Sequence, residues 1–253
     1  MNAKTQQILV VLTTIVTLTV NVLSNALPLN GLTAGEISDS FQVYFVPAGY
    51  VFSIWGLIYI GMIAFTVYQA LPAQRDNLRL QGVRGWFILS NLANASWLFL
   101  WHYQQFPLTL LAMGALLASL IAIYLRLRPG RMAAPPVERW IVDAPFSVYL
   151  GWITVATVAN VTTVLDWVNW GRFGISDAIW MLVMLAVVTA VGWAMSLRER
   201  DPLYLAVLLW ALAGIGVKFP DEGLVTISTW GAFVLLLLAF GLSLWRRPQR
   251  ALR

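Results

Sequence analysis

Few residues in this sequence can exchange protons, attack a carbonyl or hold a metal ion. Cysteine is absent and His102 is the only histidine. Thiolate metal sites, paired-imidazole haem ligation and histidine-rich zinc sites are therefore excluded. Without cysteine there is also no disulfide framework from which to read a redox compartment. No Walker A, GxSxG or HExxH pattern occurs, which removes support for ATP-driven pumping and for the common hydrolase and zincin chemistries. Two charges fall inside apolar runs, Asp143 and Lys218. A charge at the centre of a membrane helix costs about 2.5–3.5 kcal/mol on insertion scales, so such residues flag function. Both sit near the ends of their runs, where Asp143 can pair with Arg139 one turn earlier and Lys218 can snorkel. A carrier driven by buried charges is weakened accordingly.

The chemistry that remains is aromatic and amide. The chain has 13 Trp, 12 Phe and 8 Tyr. Trp86, Trp101, Trp140, Trp167, Trp170, Trp180 and Trp245 fall near the ends of apolar runs, where Trp anchors a helix at the membrane interface. His102 reads as an interfacial histidine for the same reason. Trp55, Trp97, Trp152, Trp193, Trp210 and Trp230 lie deeper. Phe52, Trp55, Tyr59 and Met62 follow the spacing of one helix face, as do Ser90, Asn94, Trp97 and Trp101. Trp152, Ala156 and Asn160 form another such line, and Asn21 and Asn25 are one turn apart. Aromatic walls with a few uncharged donors and acceptors suit a flat, largely apolar ligand. Amides bonding between helices would serve packing equally well.

The elements that must position these residues are membrane spans. Hydrophobic residues make up 60% of the chain and charged residues 11%, against roughly 25% charged in a soluble domain. The expected architecture is an all-α polytopic transmembrane bundle, because a spanning segment must satisfy its own backbone and needs ~20 apolar residues. About eight spans can be marked: Gln7–Leu27, Pro47–Leu71, Gly82–Trp101, Leu108–Leu127, Trp140–Leu165, Ser176–Leu197, Leu203–Val217 and Leu224–Trp245. The seventh is short. The longest connection, Pro28–Val46, is polar and turn-rich. Arg75, Arg79 and Arg84 flank the second connection, Arg126, Arg128, Arg131 and Arg139 the fourth, and Arg198 and Arg200 the sixth. Arg246, Arg247, Arg250 and Arg253 form the tail, whereas the odd connections hold only Arg172 and Lys218 with several acids. The positive-inside rule then places both termini in the cytoplasm, in an inner or plasma membrane. The net charge of +5 thus reflects membrane sidedness, and no nucleic-acid partner is expected. A cleaved signal peptide over the first span is the weaker reading, because threonines interrupt the run and seven spans would remain.

The motifs on these spans resemble the TspO/MBR family, the tryptophan-rich sensory or translocator proteins. Pro47-Ala-Gly-Tyr50-Val-Phe52-Ser-Ile-Trp55-Gly-Leu-Ile-Tyr59 is similar to the family's second-helix signature. Asn94-Ala-Ser-Trp97 resembles its third-helix Asn-x-x-Trp. Tyr149-Leu-Gly-Trp152 followed by Ala156, Thr157 and Asn160 resembles its fifth-helix motif. Val148 stands where the family usually has proline, and Leu100 and Trp101 replace a paired Phe. The resemblance covers roughly residues 6–170 and implies two parts: a five-helix transmembrane domain over 1–170, then additional helices and a basic cytoplasmic tail over 171–253. The family binds tetrapyrroles such as protoporphyrin IX, and some members bind sterols or synthetic ligands, in a pocket under the first long connection. The ligand-binding residues expected here, from faces and motifs together, are Asn25, Phe52, Trp55, Tyr59, Asn94, Trp97, Tyr149, Trp152 and Asn160.

The function expected is binding of a porphyrin-like or other flat apolar molecule within the lipid bilayer, for sensing or transport. No metal or resident cofactor is expected beyond such a ligand. Two rival readings are a secondary transporter completed by the last three helices and a light-dependent porphyrin-degrading enzyme using Trp55 and Trp152. No internal repeat supports the first, and acid–base groups are nearly absent for ordinary hydrolysis. The last three helices are candidates for shielding the core, forming a homodimer contact or adding a second site.

Overall fold

The computed structural model describes residues 2–27, 29–129 and 134–245, without the side chain of Asn25. Eight long helices run through it: α1 (Ala3–Ala26), α2 (Ile54–Ala70), α3 (Leu78–His102), α4 (Phe106–Leu127), α5 (Ala144–Trp167), α6 (Asp177–Arg198), α7 (Pro202–Lys218) and α8 (Leu224–Trp245). No strand occurs among the described residues. These helices match the spans read from sequence to within a few residues, except at the start of the second. There Pro47 and Ala48 lead into a 3-10 turn, Gly49–Ser53, and α2 begins only at Ile54. Among the described residues, six segments are long and apolar enough to cross a membrane. The 17-residue α7 is shorter, and α3 has the length but carries Arg79, Arg84, Asn91 and Asn94. Arg131 and the tail arginines Arg246, Arg247, Arg250 and Arg253 lie outside the described residues.

Local chemistry explains where the helices begin. Asn2 caps α1 by accepting from Thr5 N at 2.8 Å. Asn77 caps α3, and Asp201 caps α7 by accepting from Leu203 N at 3.1 Å. These acceptors satisfy amides that have no intrahelical partner. Proline stands in the first turn of α4, α5 and α7, where its missing N–H costs nothing. A π-helical turn, Arg139–Asp143, leads into α5.

The first five helices close into a ring: α1 packs on α2 and α3, α3 on α4, α4 on α5, and α5 back on α2. In lipid the hydrophobic effect does not press helices together, so polar side chains and close packing must do it. Thr17 Oγ1 donates to the Asn91 carbonyl oxygen at 2.9 Å, and Asn91 Nδ2 donates to Thr14 Oγ1 at 3.0 Å, joining α1 to α3. Thr14 shares a hydrogen bond with Thr66, and Gln7 Nε2 donates to the Gln69 carbonyl oxygen at 2.6 Å, joining α1 to α2. The α2–α5 seam is a close approach at Gly61, where an added Cβ would stand 2.8 Å from Pro145 Cβ. The last three helices attach through α7, which packs on α5, while α8 packs on α6 and α7. Many large apolar side chains remain exposed, among them Ile60, Leu111, Ile227 and Leu238. Such a surface is expected against lipid tails and would aggregate in water.

At the end of the bundle opposite the first connection, the charges pair differently from the sequence reading. Asp143 meets Arg79 of α3, not Arg139. Arg79 also binds Glu138 at 2.8 Å, and Arg139 instead donates to the Ala134 carbonyl oxygen. A guanidinium between two carboxylates satisfies more charge than one helical-turn pair could. Arg84, read as a flank of a connection, is fully buried. It donates to Gln69 Oε1 at 3.1 Å and to the carbonyl oxygens of Gln74 and Arg75 at 2.6 and 3.0 Å. These acceptors end α2 and the turn after it, so the cation caps a helix C-terminus.

The α5–α7 contact depends on Gly151, where a Cβ would lie 3.0 Å from Val207 Cβ and 3.1 Å from the Tyr204 carbonyl oxygen. Gly151→Leu is expected to push α7 from the ring and to lower stability by about 1–3 kcal/mol. Chemical or thermal unfolding in detergent checks this; an unchanged midpoint would show that the close approach contributes nothing.

Candidate functional site

Beneath the first connection, the ring encloses a cavity of about 490 Å³. Its walls come from four ring helices: Asn21 of α1, Trp55 and Tyr59 of α2, Asn94, Trp97 and Trp101 of α3, and Trp152, Ala156 and Asn160 of α5. Phe52, in the 3-10 turn before α2, completes the aromatic wall. Thr33, Ala34, Gly35 and Ser38 form its roof, with Val46, Pro47 and Gly49 at the side. Among the described residues, no Asp, Glu, Lys, Arg or His lines it.

Of the nine residues expected from sequence, seven line the cavity: Phe52, Trp55, Tyr59, Asn94, Trp97, Trp152 and Asn160. Tyr149 is brought near but stands behind the wall, almost fully buried, with its ring 6.0 Å from that of Trp55. Its Oη accepts a hydrogen bond from Asn94 Nδ2, which holds the side chain against α3. The side chain of Asn25 lies outside the described residues. Trp101, read as an interfacial anchor, lines the cavity and stacks on Trp97 at 5.1 Å. The signal for it was its place four residues after Trp97.

The polar groups of the wall are paired with one another. Tyr59 Oη donates to Asn21 Oδ1 at 2.6 Å, and Asn21 Nδ2 donates to Asn94 Oδ1 at 2.8 Å. Asn94 Nδ2 then donates to Tyr149 Oη at 3.0 Å. A second chain runs from Trp97 Nε1 to Asn160 Oδ1 at 3.0 Å, and from Asn160 Nδ2 to Thr109 Oγ1 of α4 at 2.8 Å. Trp152 is a buried exception. It is 3% exposed, and its Nε1–H has no hydrogen-bond partner among the described residues. Its ring is held by edge-on contacts with Phe52 at 5.8 Å and Trp55 at 6.3 Å. A buried indole N–H without an acceptor costs about 1–3 kcal/mol.

The roof is more ordered than its turn-rich composition suggests. Thr33 and Glu36 form a capping box on a short helix, Ala34–Asp39: Thr33 N and Oγ1 donate to Glu36 Oε2 at 2.7 and 2.8 Å, and Glu36 N donates to Thr33 Oγ1 at 3.3 Å. The Thr-x-x-Glu spacing was the sequence signal for this helix. Hydrogen bonds from Thr33 hold the Glu36 carboxyl below the ordinary glutamate value of 4.5. Ile37 buries its side chain with Trp101, Phe106 and Val164, and Trp101 Nε1 donates to the Ala34 carbonyl oxygen at 3.2 Å. His102 is fully buried instead of interfacial. Its Nδ1 bonds the Leu32 carbonyl oxygen at 3.1 Å, and its own carbonyl oxygen accepts from Asn30 Nδ2 at 3.1 Å. The lone histidine is therefore a tether for the roof. Among the described residues there is no group of acids and histidines able to hold a metal ion.

A family model described as TSPO-like protein matches residues 7–242. The match runs through α6 and α7 into α8, past the stretch that carries the motifs. No curated protein and no solved structure matches the chain.

Two outcomes are expected from this geometry. Asn94→Ala removes the link shared by α1, α3 and α5 and should lower stability by about 1 kcal/mol, near the upper range for hydrogen bonds inside membranes; a denaturant titration that cannot distinguish it from wild type would contradict this. Because the Glu36 pKa is depressed in the folded state, its stabilisation is complete above the unfolded value and lost as pH falls through the folded one. Amide exchange across residues 34–39 should therefore accelerate on acidification through the carboxylate range in wild type, but much less in Glu36→Gln.

Proposed function

This chain belongs to the TSPO-like protein family, a multi-span membrane protein of TspO type, and on that premise we propose that its cavity binds a flat, largely apolar ligand. A porphyrin-like tetrapyrrole is the first candidate, taken up for sensing or transport. The observation that carries this reading is the aromatic, uncharged lining of a cavity of about 490 Å³. The size falls within the roughly 300–1,000 Å³ of small-molecule sites. Trp55, Trp97, Trp101, Trp152 and Phe52 offer faces and edges for stacking. The amides are occupied by one another, so they shape the site more than they read the ligand.

The electroneutral lining adds a constraint. An ionised carboxylate inside such a cavity would be desolvated without a counter-charge. A porphyrin would therefore bind with its ring inside and its acid groups at the water-facing mouth. The arginine distribution supports an orientation with both termini cytoplasmic and the cavity opening on the opposite side of an inner or plasma membrane.

The test is titration of the protein in nanodiscs with protoporphyrin IX and with its dimethyl ester, read by tryptophan fluorescence. Saturable quenching is expected from both, with the ester binding at least as tightly as the free acid. Trp55→Ala, which removes one aromatic side of the wall, should weaken binding on the order of tenfold. Quenching that never saturates, or that saturates with an unchanged midpoint in Trp55→Ala, would overturn the proposal.

A further inference from the structure

The stretch Pro47–Ser53 is a wall with two sides. Pro47, Gly49 and Phe52 line the cavity, while Val51 is fully buried in the core it shares with α7. A Cβ on Gly214 of α7 would collide with Val51 Cγ2 and lie 3.2 Å from Pro47 Cβ. Only glycine at that position lets α7 come so close. Two hydrogen bonds fix the contact: Ala48 N donates to the Gly214 carbonyl oxygen at 3.1 Å, and Trp210 Nε1 donates to the Val51 carbonyl oxygen at 3.0 Å. The Trp210 ring also meets Tyr50 edge-on at 5.4 Å.

Earlier in the same connection, Asp39 pairs with Lys218 at 2.7 Å, at the end of the roof helix. Tyr44 donates to Glu222 Oε2 at 3.2 Å and packs its ring on Phe219 at 5.3 Å. Thus α7 and the turn after it grip the connection repeatedly from Asp39 to Val51. The grips are unequal. Asp39 is 63% exposed in its side chain, and pairs of that kind contribute little. The buried Val51 notch and the two bonds beside it should carry most of the hold.

No residue of α6, α7 or α8 lines the cavity. We propose that α7 acts as a clamp on the cavity's roof and wall: it sets how often residues 39–52 open, and so how fast a ligand enters or leaves, without touching the ligand. Trp210 and Gly214 are positioning residues in this scheme. The ligand part rests on the binding proposal above, whereas the opening part does not.

The absence of cysteine allows a test that needs no ligand. Ala159 of α5 also lines the cavity, so Ala159→Cys puts a single thiol in its wall, and the reaction of that thiol with a maleimide in nanodiscs reports opening. Adding Trp210→Phe, which keeps an aromatic ring but deletes the donor, should raise the labelling rate on the order of tenfold. Lys218→Met should raise it by less than about threefold. Amide exchange over residues 39–52 should accelerate in Trp210→Phe while exchange in α4 stays unchanged. With protoporphyrin IX as probe, association and dissociation should both quicken, with little change in Kd. Unchanged labelling in Trp210→Phe would overturn the clamp, and so would acceleration spread equally through α4, which would mean general destabilisation. If protoporphyrin IX binds no version of the protein but labelling still responds to Trp210→Phe, the clamp stands and the binding proposal falls.

Discussion

One hydrogen-bonded chain ties the structure together: Tyr59 to Asn21, Asn21 to Asn94, and Asn94 to Tyr149. It crosses α2, α1, α3 and α5 in succession. The second chain, Trp97 to Asn160 to Thr109, adds α4. Between them they link every helix of the ring. In a bilayer, apolar side chains gain little by leaving lipid for one another, so matched amides and hydroxyls give a helix its specific neighbours. Each amide here is both donor and acceptor, and a shift of one helix would strand several partners in a medium with no water to replace them.

The same pairing explains the character of the cavity. Because the amides and phenols of the wall bond to each other, what they present to the cavity is shape and an apolar surface. The aromatic rings hold one another edge-on or stacked, which fixes their orientation without filling the space between them. The Trp152 ring meets Phe52 and Trp55 edge-on, and its N–H is left over. A polar group that the fold leaves unsatisfied differs in kind from the satisfied amides around it.

The glycines do the complementary work of letting backbones approach. Gly61 admits Pro145 where α2 meets α5, Gly151 admits α7 to the ring, and Gly214 admits the turn before α2. Close approach of small residues is a principal source of helix packing in membranes. It joins the last three helices to the five that surround the cavity, and places α7 behind the wall formed by Pro47–Ser53. The roof has its own anchors in Ile37, His102 and the Thr33–Glu36 box. Roof and wall are therefore held from two directions, by α3 on one side and by α7 on the other.

Much of this was legible in the residues alone. Apolar run lengths determine eight helices, because a backbone in lipid has no other way to satisfy itself. The helical spacing of Phe52, Trp55 and Tyr59, of Asn94 and Trp97, and of Trp152 and Asn160 determines that each set shares a face. Spacing says nothing of which faces meet, and there only the tertiary structure decided. It turned Tyr149 behind the wall, drew Trp101 into the cavity and buried His102 under the roof. It paired Asp143 with Arg79 across helices instead of with its neighbour Arg139, and set Gly214 against Val51. The physical reason is common to all of them: a helix periodicity is a property of local backbone geometry, whereas a partner is selected by which distant group comes within hydrogen-bond or contact distance once the ring has closed.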